Sequence, residues 1–290
     1  MISQIFSIVF PILAIVAAGF LYGRKHLPNM EAGNKITIDV LLPALIFDVL
    51  SSTSFDLHEY QSLSLAVCIM VFGSALIAWP VAALAKFQFK TFLPPMMFNN
   101  SANMGIPLAV FTFGDNALPA AVVMFVTMNF LHFSVGIRIL NPHASLWSML
   151  RIPMIMSTLA GLSFSIMQWH LPELIMTPIK MLGQISIPLM LFALGVRLID
   201  IDWKDWKIGI TGAVICPLSG LMISIPAGYL LDLPDLQYSM LILFGALPPA
   251  VLNYMLAERY DQQPRRVASI VLLGNFSSVL VIPLVLPFAL

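Results

Sequence analysis

Charged side chains are scarce in this chain. Lys, Arg, Asp and Glu make up 10% of the 290 residues, against about 25% in a typical soluble domain. A water-soluble globule with so few charges could not cover its surface, whereas a protein embedded in a bilayer has no such need. Hydrophobic residues reach 59% and the mean hydropathy is +0.93. The composition therefore favours an all-α integral membrane protein in contact with the lipid bilayer.

The residues that several kinds of functional site require are also missing from the sequence. The two cysteines, Cys68 and Cys216, lie in apolar runs and are expected to pack as small hydrophobic side chains. The histidines are scattered, so we expect no metal site and no cofactor. HExxH and GxSxG motifs are absent, which disfavours an enzyme. The net charge of zero gives no reason to expect a nucleic-acid partner.

Long apolar runs dominate what remains. A transmembrane helix needs about 20 apolar residues, and ten runs qualify: 4–23, 36–53, 61–85, 91–113, 117–136, 148–169, 177–198, 208–231, 238–258 and 266–289. The connections are short, so residues 1–290 are expected to form one transmembrane domain. Because Arg24 and Lys25 follow the first run instead of preceding it, we expect that run to be retained and not cleaved as a signal peptide.

The basic residues are distributed unevenly between the two sets of loops. All but one of the 14 Lys and Arg residues lie in the loops that follow predicted helices 1, 3, 5, 7 and 9 or in the residues that flank those loops, and Lys180 is the exception. Since basic residues favour cytoplasmic loops, those loops should face the cytoplasm. This predicts a multi-pass protein of the cell membrane with both termini on the non-cytoplasmic side.

The two halves of the chain resemble each other at an offset of about 145 residues. The matching positions are 26–28 with 170–172, 98 with 244, 115 with 261 and 129–130 with 275–276. Residues 1–142 and 143–290 are accordingly predicted to be two repeats of five helices. An odd number of helices inverts the second repeat relative to the first, and inverted repeats are typical of secondary transporters.

Predicted helices 4 and 9 carry unusual residues at the middle of the membrane. Residues 98–107 read FNNSANMGIP and residues 245–253 read GALPPAVLN. Proline interrupts a helix, and interrupted backbone at membrane depth must be satisfied by protein or must line a water-filled cavity. Breaks at corresponding places in two repeats indicate a transport site. The candidate substrate-binding residues are Asn100, Ser101, Asn103, Pro248, Pro249 and Asn253, and the candidate hinges are Gly105, Pro107, Pro248 and Pro249.

Other readings of the polar residues remain open. The breaks could be simple kinks in which Asn residues join neighbouring helices. Asp48 is a candidate site for a coupling ion or a solvated interfacial residue. Gln184 could contact substrate from the facing helices. His132 could shuttle protons or be a hydrogen-bonded buried imidazole. Asn129 and Asn275 are expected to act structurally, with site contact as the alternative.

Three sequence segments resemble the auxin efflux carrier family. They are residues 100–108 (NSANMGIPL), residues 246–250 (ALPPA) with the following 256–260 (LAERY), and residues 42–47 (LPALIF). The resemblance covers the membrane core of the whole chain. Because residues 137–151 form only a short connection, the chain is similar to compact bacterial members and not to plant members with a long cytoplasmic loop.

The resemblance implies several further expectations. It implies a scaffold built from predicted helices 1, 2, 6 and 7, a transport domain in which helices 4 and 9 cross at their breaks, a small organic anion as substrate, and a homodimer. Asn100 matches the family's asparagine beside the crossing, and Pro248 matches its crossing proline. Pro249 and Asn253 depart from the plant pattern, so the specificity should differ.

Two other functions compete with this interpretation. A sodium-coupled organic-anion symporter of the bile-acid type shares the ten-helix plan, but it would need acidic ligands near the breaks, and neither helix 4 nor the middle of helix 9 contains one. A sensor that keeps the fold but does not transport is the second alternative. A channel is disfavoured because only the two breaks are polar at mid-depth.

Overall fold

The computed structural model describes residues 2–51, 57–143, 151–197, 199 and 205–290, and their regular structure is helical. The α-helices are α1 (Ile2–His26), α2 (Glu31–Ile36), α3 (Leu42–Leu50), α4 (Gln61–Leu84), α5 (Phe89–Met97), α6 (Ile106–Phe113), α7 (Leu118–Leu131), α8 (Ile137–Leu140), α9 (Pro153–Ile166), α10 (Glu173–Arg197), α11 (Trp206–Leu230), α12 (Asp235–Gly245), α13 (Val251–Arg259) and α14 (Pro264–Ala289).

Three π-helical turns join some of these helices without a loop. They are Thr37–Leu41 between α2 and α3, Ser101–Gly105 before α6, and His132–Gly136 between α7 and α8. A π turn inserts one extra residue per turn and is frequent at functional sites. Each of the three turns contributes residues to the cavity described below.

Five helical stretches of the described chain are long and apolar enough to cross a membrane. They are His58–Leu84, Asp115–Leu140, Glu173–Val196, Trp206–Leu230 and Pro264–Ala289, and Ser101–Phe113 and Pro153–Ile166 are shorter apolar helices. The protein is therefore a multi-pass, all-helical membrane protein, as the composition predicted.

One predicted helix is shorter than expected. The run over 148–169 predicted a full span, but α9 covers only Pro153–Ile166. Ile152 is extended and Pro153 occupies the first turn, where the fixed φ of proline favours a helix start. Residues 148–150 lie outside the described residues, as do positions 52 and 53 of predicted helix 2.

The helices pack in two groups. The first bundle consists of α1, α2, α3, α9 and α10, in which α1 packs on α10 and α3 packs on both α9 and α10. The second bundle consists of α4 to α8 and α11 to α14, in which α11 packs on α4, α12 and α14. The bundles meet where α1, α3, α9 and α10 contact α6, α7, α14 and the π turn before α6.

Two glycines allow α1 and α10 to approach closely. A Cβ atom at Gly19 would overlap the carbonyl oxygen of Phe192, and one at Gly195 would overlap the carbonyl oxygen of Val16. Small residues at such contacts let membrane helices pack through their backbones. The α1–α10 contact therefore depends on the absence of side chains at both positions.

Replacing Gly195 by alanine should destabilise the first bundle. The added methyl group must displace backbone atoms of α1, and overpacking of this kind costs about 1–3 kcal/mol. We expect a clear fall in the melting temperature (Tm) of the detergent-purified protein. Gly33→Ala is the matched control, because its Cβ would meet only the end of the Met30 side chain at 3.6 Å. An equal Tm for the two variants would show that α1 and α10 tolerate wider spacing.

Candidate functional site

Two helices of the second bundle are interrupted, and their breaks contact each other; we call this contact the crossing. Helix α5 ends at Met97 and helical structure resumes at Ser101, while α12 ends at Gly245 and α13 begins at Val251. In the second break the consecutive prolines at 248 and 249 lack the N–H groups that a continuous helix needs. Both interruptions predicted from the sequence are therefore present.

The two breaks satisfy each other's backbone groups. The Asn100 N–H donates to the Pro248 carbonyl over 2.7 Å, and the Ala250 N–H donates to the Phe98 carbonyl over 2.9 Å. The two bonds flank an antiparallel bridge between positions 99 and 249. Reciprocal bonding of this kind supplies the partners that membrane-buried backbone requires, and it relates residues 98–100 to residues 248–250 by a local two-fold axis.

Side-chain amides on both sides reinforce the crossing. Asn253 Nδ2 donates to the carbonyls of Phe98 (2.8 Å) and Ala250 (3.0 Å), so that one carboxamide holds both breaks together. Asn99 Nδ2 donates to the Phe244 carbonyl at the end of α12. The oxygens Asn99 Oδ1 and Asn253 Oδ1 are buried and accept no hydrogen bond.

A pair of asparagines ties the first break to α14. Asn100 Nδ2 donates to Asn275 Oδ1 over 2.7 Å, and Asn275 Nδ2 donates to the carbonyls of Pro249 (3.0 Å) and Val271 (2.8 Å). Both asparagines are buried. The expected structural role of Asn275 is thus visible in its contacts with both breaks.

A cavity of about 100 Å³ lies against the crossing, between the two bundles. The first bundle contributes apolar side chains of α3, α9 and α10 and the π turn at Thr37. The second bundle contributes the polar wall, which consists of Asn99, Asn100, Ser101, Asn103, Asn129 and His132. An apolar cavity of roughly 150 Å³ can hold a benzene molecule, so this cavity is large enough for the head of a small organic molecule.

A second, apolar cavity of about 110 Å³ adjoins the first. The two cavities share four lining residues, namely Phe125, Asn129, Phe133 and Met154. The remaining walls of the second cavity come from α3, α7 and α9, and Thr158 is its other polar residue. A molecule with a polar end and an apolar end could therefore occupy both spaces.

The sequence-predicted substrate residues fall into three groups. Asn100, Ser101 and Asn103 line the cavity. Pro248, Pro249 and Asn253 build the second break and are buried, but they do not line the cavity. Gln184 is exposed on α10, away from the cavity.

The remaining predicted residues lie outside the cavity walls. Asp48 is half-buried near the end of α3, and its carboxylate interacts electrostatically with the ammonium group of Lys180 on α10. Gly105 is a close-packing position, because a Cβ there would lie 2.9 Å from Leu247 Cδ1. Pro107 lies in the first turn of α6, where proline is favoured.

Asn129 and Asn275, which the repeat pairs with each other, differ in their surroundings. Each donates from Nδ2 to the carbonyl four residues earlier, Asn129 to Phe125 and Asn275 to Val271. Asn275 Oδ1 accepts a bond from Asn100. Ala250, which the local two-fold relates to Asn100, also lines the cavity, and alanine has no amide to donate. Within the described residues, Asn129 Oδ1 therefore stays available to the cavity that it lines.

The cavity is polar without being charged. No Lys, Arg, Asp or Glu side chain lines it in the part of the chain that the structure describes. Two helix starts open on it, since residues 101–103 and 250–252 are in its walls. Among the described residues, the backbone N–H groups of Ala102, Asn103, Val251 and Leu252 have no backbone acceptor. Free N–H groups at a helix start carry partial positive charge.

These features define the class of the protein as a multi-pass membrane protein with a polar cavity at a pair of broken helices. Residues 142–286, half of the chain, match the family described as Membrane transport protein. The chain belongs to this family and is a transporter, which confirms the resemblance to the auxin efflux carriers.

Two archaeal relatives extend over nearly the whole chain. An uncharacterized transporter of Methanocaldococcus jannaschii is 22% identical over 304 aligned positions that cover 96% of each chain. An uncharacterized transporter of Methanothermobacter thermautotrophicus is 27% identical over 299 positions that cover 95% of each chain. The similarity therefore includes both breaks and both bundles.

Proposed function

We propose that the protein is a secondary active transporter that moves a small organic anion across the cell membrane by alternating access. The observation that carries the proposal is the paired break with a cavity at its side, whose walls include two helix starts and several amides. The proposal includes ten transmembrane helices in two inverted repeats, both termini on the non-cytoplasmic side, and assembly as a homodimer.

The chemistry of the cavity favours a carboxylate. Free N–H groups at helix starts bind anions by hydrogen bonding and by the partial positive charge of the helix end. The amide of Asn103 adds a neutral donor, and Asn100 and Asn129 each keep one N–H after their bonds to Asn275 Oδ1 and the Phe125 carbonyl. Neutral donors bind an anion reversibly without the deep energy minimum that a buried ion pair would create, and reversible binding suits a carrier.

The adjoining apolar cavity favours a substrate with a hydrophobic portion. A carboxylate at the crossing would place its chain beside Phe125, Phe133 and Met154, which line both cavities. Burial of each methylene group contributes about 0.8 kcal/mol, so affinity should rise along a series of straight-chain acids. We therefore propose a monocarboxylate with a short apolar tail as the substrate class.

Alternating access is supported by unequal cavities on the two sides of the crossing. A smaller space of about 30 Å³ lies on the Asn275 side, lined by α1, α6, α10 and α14. The large cavity is lined by α3, α7, α9 and α13, the corresponding elements in the proposed repeats, and also by α10 and the first break. Inverted repeats can exchange such conformations, and the exchange would close the large cavity and open the small one.

Thermal stabilisation of the purified protein tests the proposal. The panel comprises straight-chain acids from acetate to hexanoate, a dicarboxylate, an indole acid and a bile acid, each with and without sodium. A ligand that binds the folded state raises the Tm as its concentration rises, and we expect a sodium-independent rise that grows from acetate to hexanoate. A rise that requires sodium would favour the bile-acid type of symporter, and no rise for any acid would contradict an organic-anion carrier.

A further inference from the structure

The apolar cavity of about 110 Å³ extends from a buried inner end to the outside of the protein. Ile46 and Phe125 in its inner walls are 0% and 2% exposed, whereas Phe130 and Leu159 in its outer walls are 55% and 52% exposed. A side chain with more than half of its surface exposed lies at the molecular surface, so the cavity is open at this end. Its inner end adjoins the polar cavity beside the crossing.

The opening lies between α7 and α9. Val126 and Phe130 are one turn apart on α7, and Ile155, Thr158 and Leu159 share one face of α9. Helix α7 packs chiefly on α4, α9 packs chiefly on α3, and the two helices contact each other only sparsely. The gap between α7 and α9, which we call the seam, is therefore not filled by helix packing.

The polar side chains that line this cavity bond within their own helices. Thr158 Oγ1 donates to the Met154 carbonyl over 2.7 Å, and Asn129 Nδ2 donates to the Phe125 carbonyl over 3.0 Å. Neither bond crosses the seam, and the other lining side chains are hydrocarbon or thioether. An alkyl chain can therefore occupy the seam without breaking a hydrogen bond of its walls.

The surface around the opening lies at membrane depth. Leu159 is midway along α9, and Phe130 belongs to the stretch Asp115–Leu140 that is long and apolar enough to cross a membrane. At this depth a membrane protein is surrounded by the acyl chains of lipids and not by water. The seam therefore opens onto hydrocarbon.

We propose that the seam is a lateral portal through which the alkyl tail of a fatty acid extends from the crossing into the bilayer, an inference that rests on the proposed transport function. The carboxylate lies among the helix starts and amides of the polar cavity. The first methylene groups pass Phe125, Phe133 and Met154, and the rest of the chain leaves between Phe130 and Leu159. The portal extends the proposed substrate class from short acids to medium- and long-chain fatty acids.

The order of polarity along this path favours a free fatty acid over the tail of a phospholipid. The innermost part of the path has N–H groups at two helix starts and the amide of Asn129, and the outermost part is apolar. A phospholipid tail that entered the seam would bring its terminal methyl group against the polar wall. A fatty acid places its carboxylate there and leaves its methyl end in the lipid.

An open portal removes the upper limit on chain length. In a closed pocket, affinity falls once the chain fills the space, because further methylene groups overlap the walls. With a portal, each added methylene group leaves water whether it ends in the protein or in the lipid. Affinity relative to the acid in water should therefore keep rising by about fourfold for each methylene group.

Displacement of radiolabelled hexanoate from the full-length protein in lipid nanodiscs tests this expectation. The series runs from acetate to dodecanoate, and equilibrium dialysis gives the aqueous concentration of each free acid. We expect the dissociation constant to fall at every step through dodecanoate. Weaker binding of decanoate and dodecanoate than of hexanoate would overturn the portal and leave the proposed short-chain carrier standing.

Tryptophan substitutions at the opening provide a second test. Leu159→Trp narrows the opening, and Thr158→Trp fills the seam more deeply. We expect either variant to lower the affinity for dodecanoate at least about tenfold, with a much smaller effect on butyrate, whose tail ends before the opening. The matched control is Met156→Trp, because Met156 is 56% exposed on the same helix but does not line the cavity. Dodecanoate affinities equal to that of the control would overturn the proposal.

A fatty acid with a photoreactive diazirine at mid-chain locates the tail directly. In nanodiscs we expect it to label α7 and α9, and we expect excess hexanoate to suppress the labelling because both acids share the carboxylate position. Labelling that neither hexanoate nor dodecanoate suppresses would show ordinary contact with lipid and would overturn the proposal. If hexanoate does not bind at all, the organic-anion proposal fails, and labelling of α7 and α9 that dodecanoate suppresses would still support the portal, whereas its absence would overturn it.

Discussion

Asn100→Ala is expected to lower carboxylate affinity at least tenfold while leaving the protein folded. Asn100 lines the cavity and donates to Asn275 Oδ1. The substitution removes an amide from the proposed carboxylate position and leaves Asn275 Oδ1 without its donor. A lost hydrogen bond to a charged group is worth about 1.5–3 kcal/mol, which corresponds to a loss of affinity of roughly ten- to a hundredfold. The measurement is the concentration dependence of the Tm rise with hexanoate.

Two further variants separate direct contact from indirect damage. Asn275→Ala breaks the same hydrogen bond but removes no group from the large cavity, so we expect a smaller loss of affinity than with Asn100→Ala. Asn116→Ala changes an exposed asparagine in the turn before α7 and should have no effect. Equal losses for the Asn100 and Asn275 variants would mean that the hydrogen bond, and not ligand contact, accounts for the effect.

The sequence predicts the breaks well because their cause is local. Consecutive prolines at 248 and 249 remove backbone donors wherever they occur, and three asparagines within residues 99–103 have few uses in an apolar helix. The mutual pairing of the breaks depends on tertiary structure. It can be anticipated from a fold resemblance but not from the residues of either break alone.

The cavity walls are harder to predict because they depend on which way each helix faces. Gln184 is polar and mid-span, but its side chain points outward from α10. Asn129 looks equivalent to Asn275 in the repeat, but Asn275 Oδ1 accepts a bond from Asn100 whereas Asn129 lines the cavity. A comparison of residues 98–100 with residues 248–250 could have revealed this, had the register of the two breaks been known.

The positions of the π turns could not be predicted from the hydrophobic pattern of the sequence. The turn at His132–Gly136 shifts the helix register by one residue and brings the imidazole onto Phe98. A regular α-helix drawn through the same residues would aim His132 in a different direction. A buried histidine was one expectation from the sequence, and the structure buries His132 with its imidazole beside Asn253.

Ala250→Asn is expected to reduce carboxylate affinity at least a hundredfold. The local two-fold relates Ala250 to Asn100, so we expect an asparagine at 250 to donate to Asn129 Oδ1 as Asn100 donates to Asn275 Oδ1. Position 250 has φ −66° and ψ 142°, a conformation that asparagine adopts without strain. The new side chain would occupy the space beside the second helix start, where the carboxylate is proposed to bind. The measurement is again the Tm rise with hexanoate.

The control is Ala250→Ser, which adds a polar group too short to span the same distance, and we expect it to change affinity only a few-fold. Ala250→Asn should keep or raise the Tm of the ligand-free protein, because it adds a hydrogen bond across the crossing. This combination of higher intrinsic stability and lost binding distinguishes a filled site from a damaged one. If Ala250→Asn keeps the wild-type affinity, the carboxylate does not bind beside Asn129 and the second break. A lower Tm of the ligand-free variant would show that the two sides of the crossing are not equivalent.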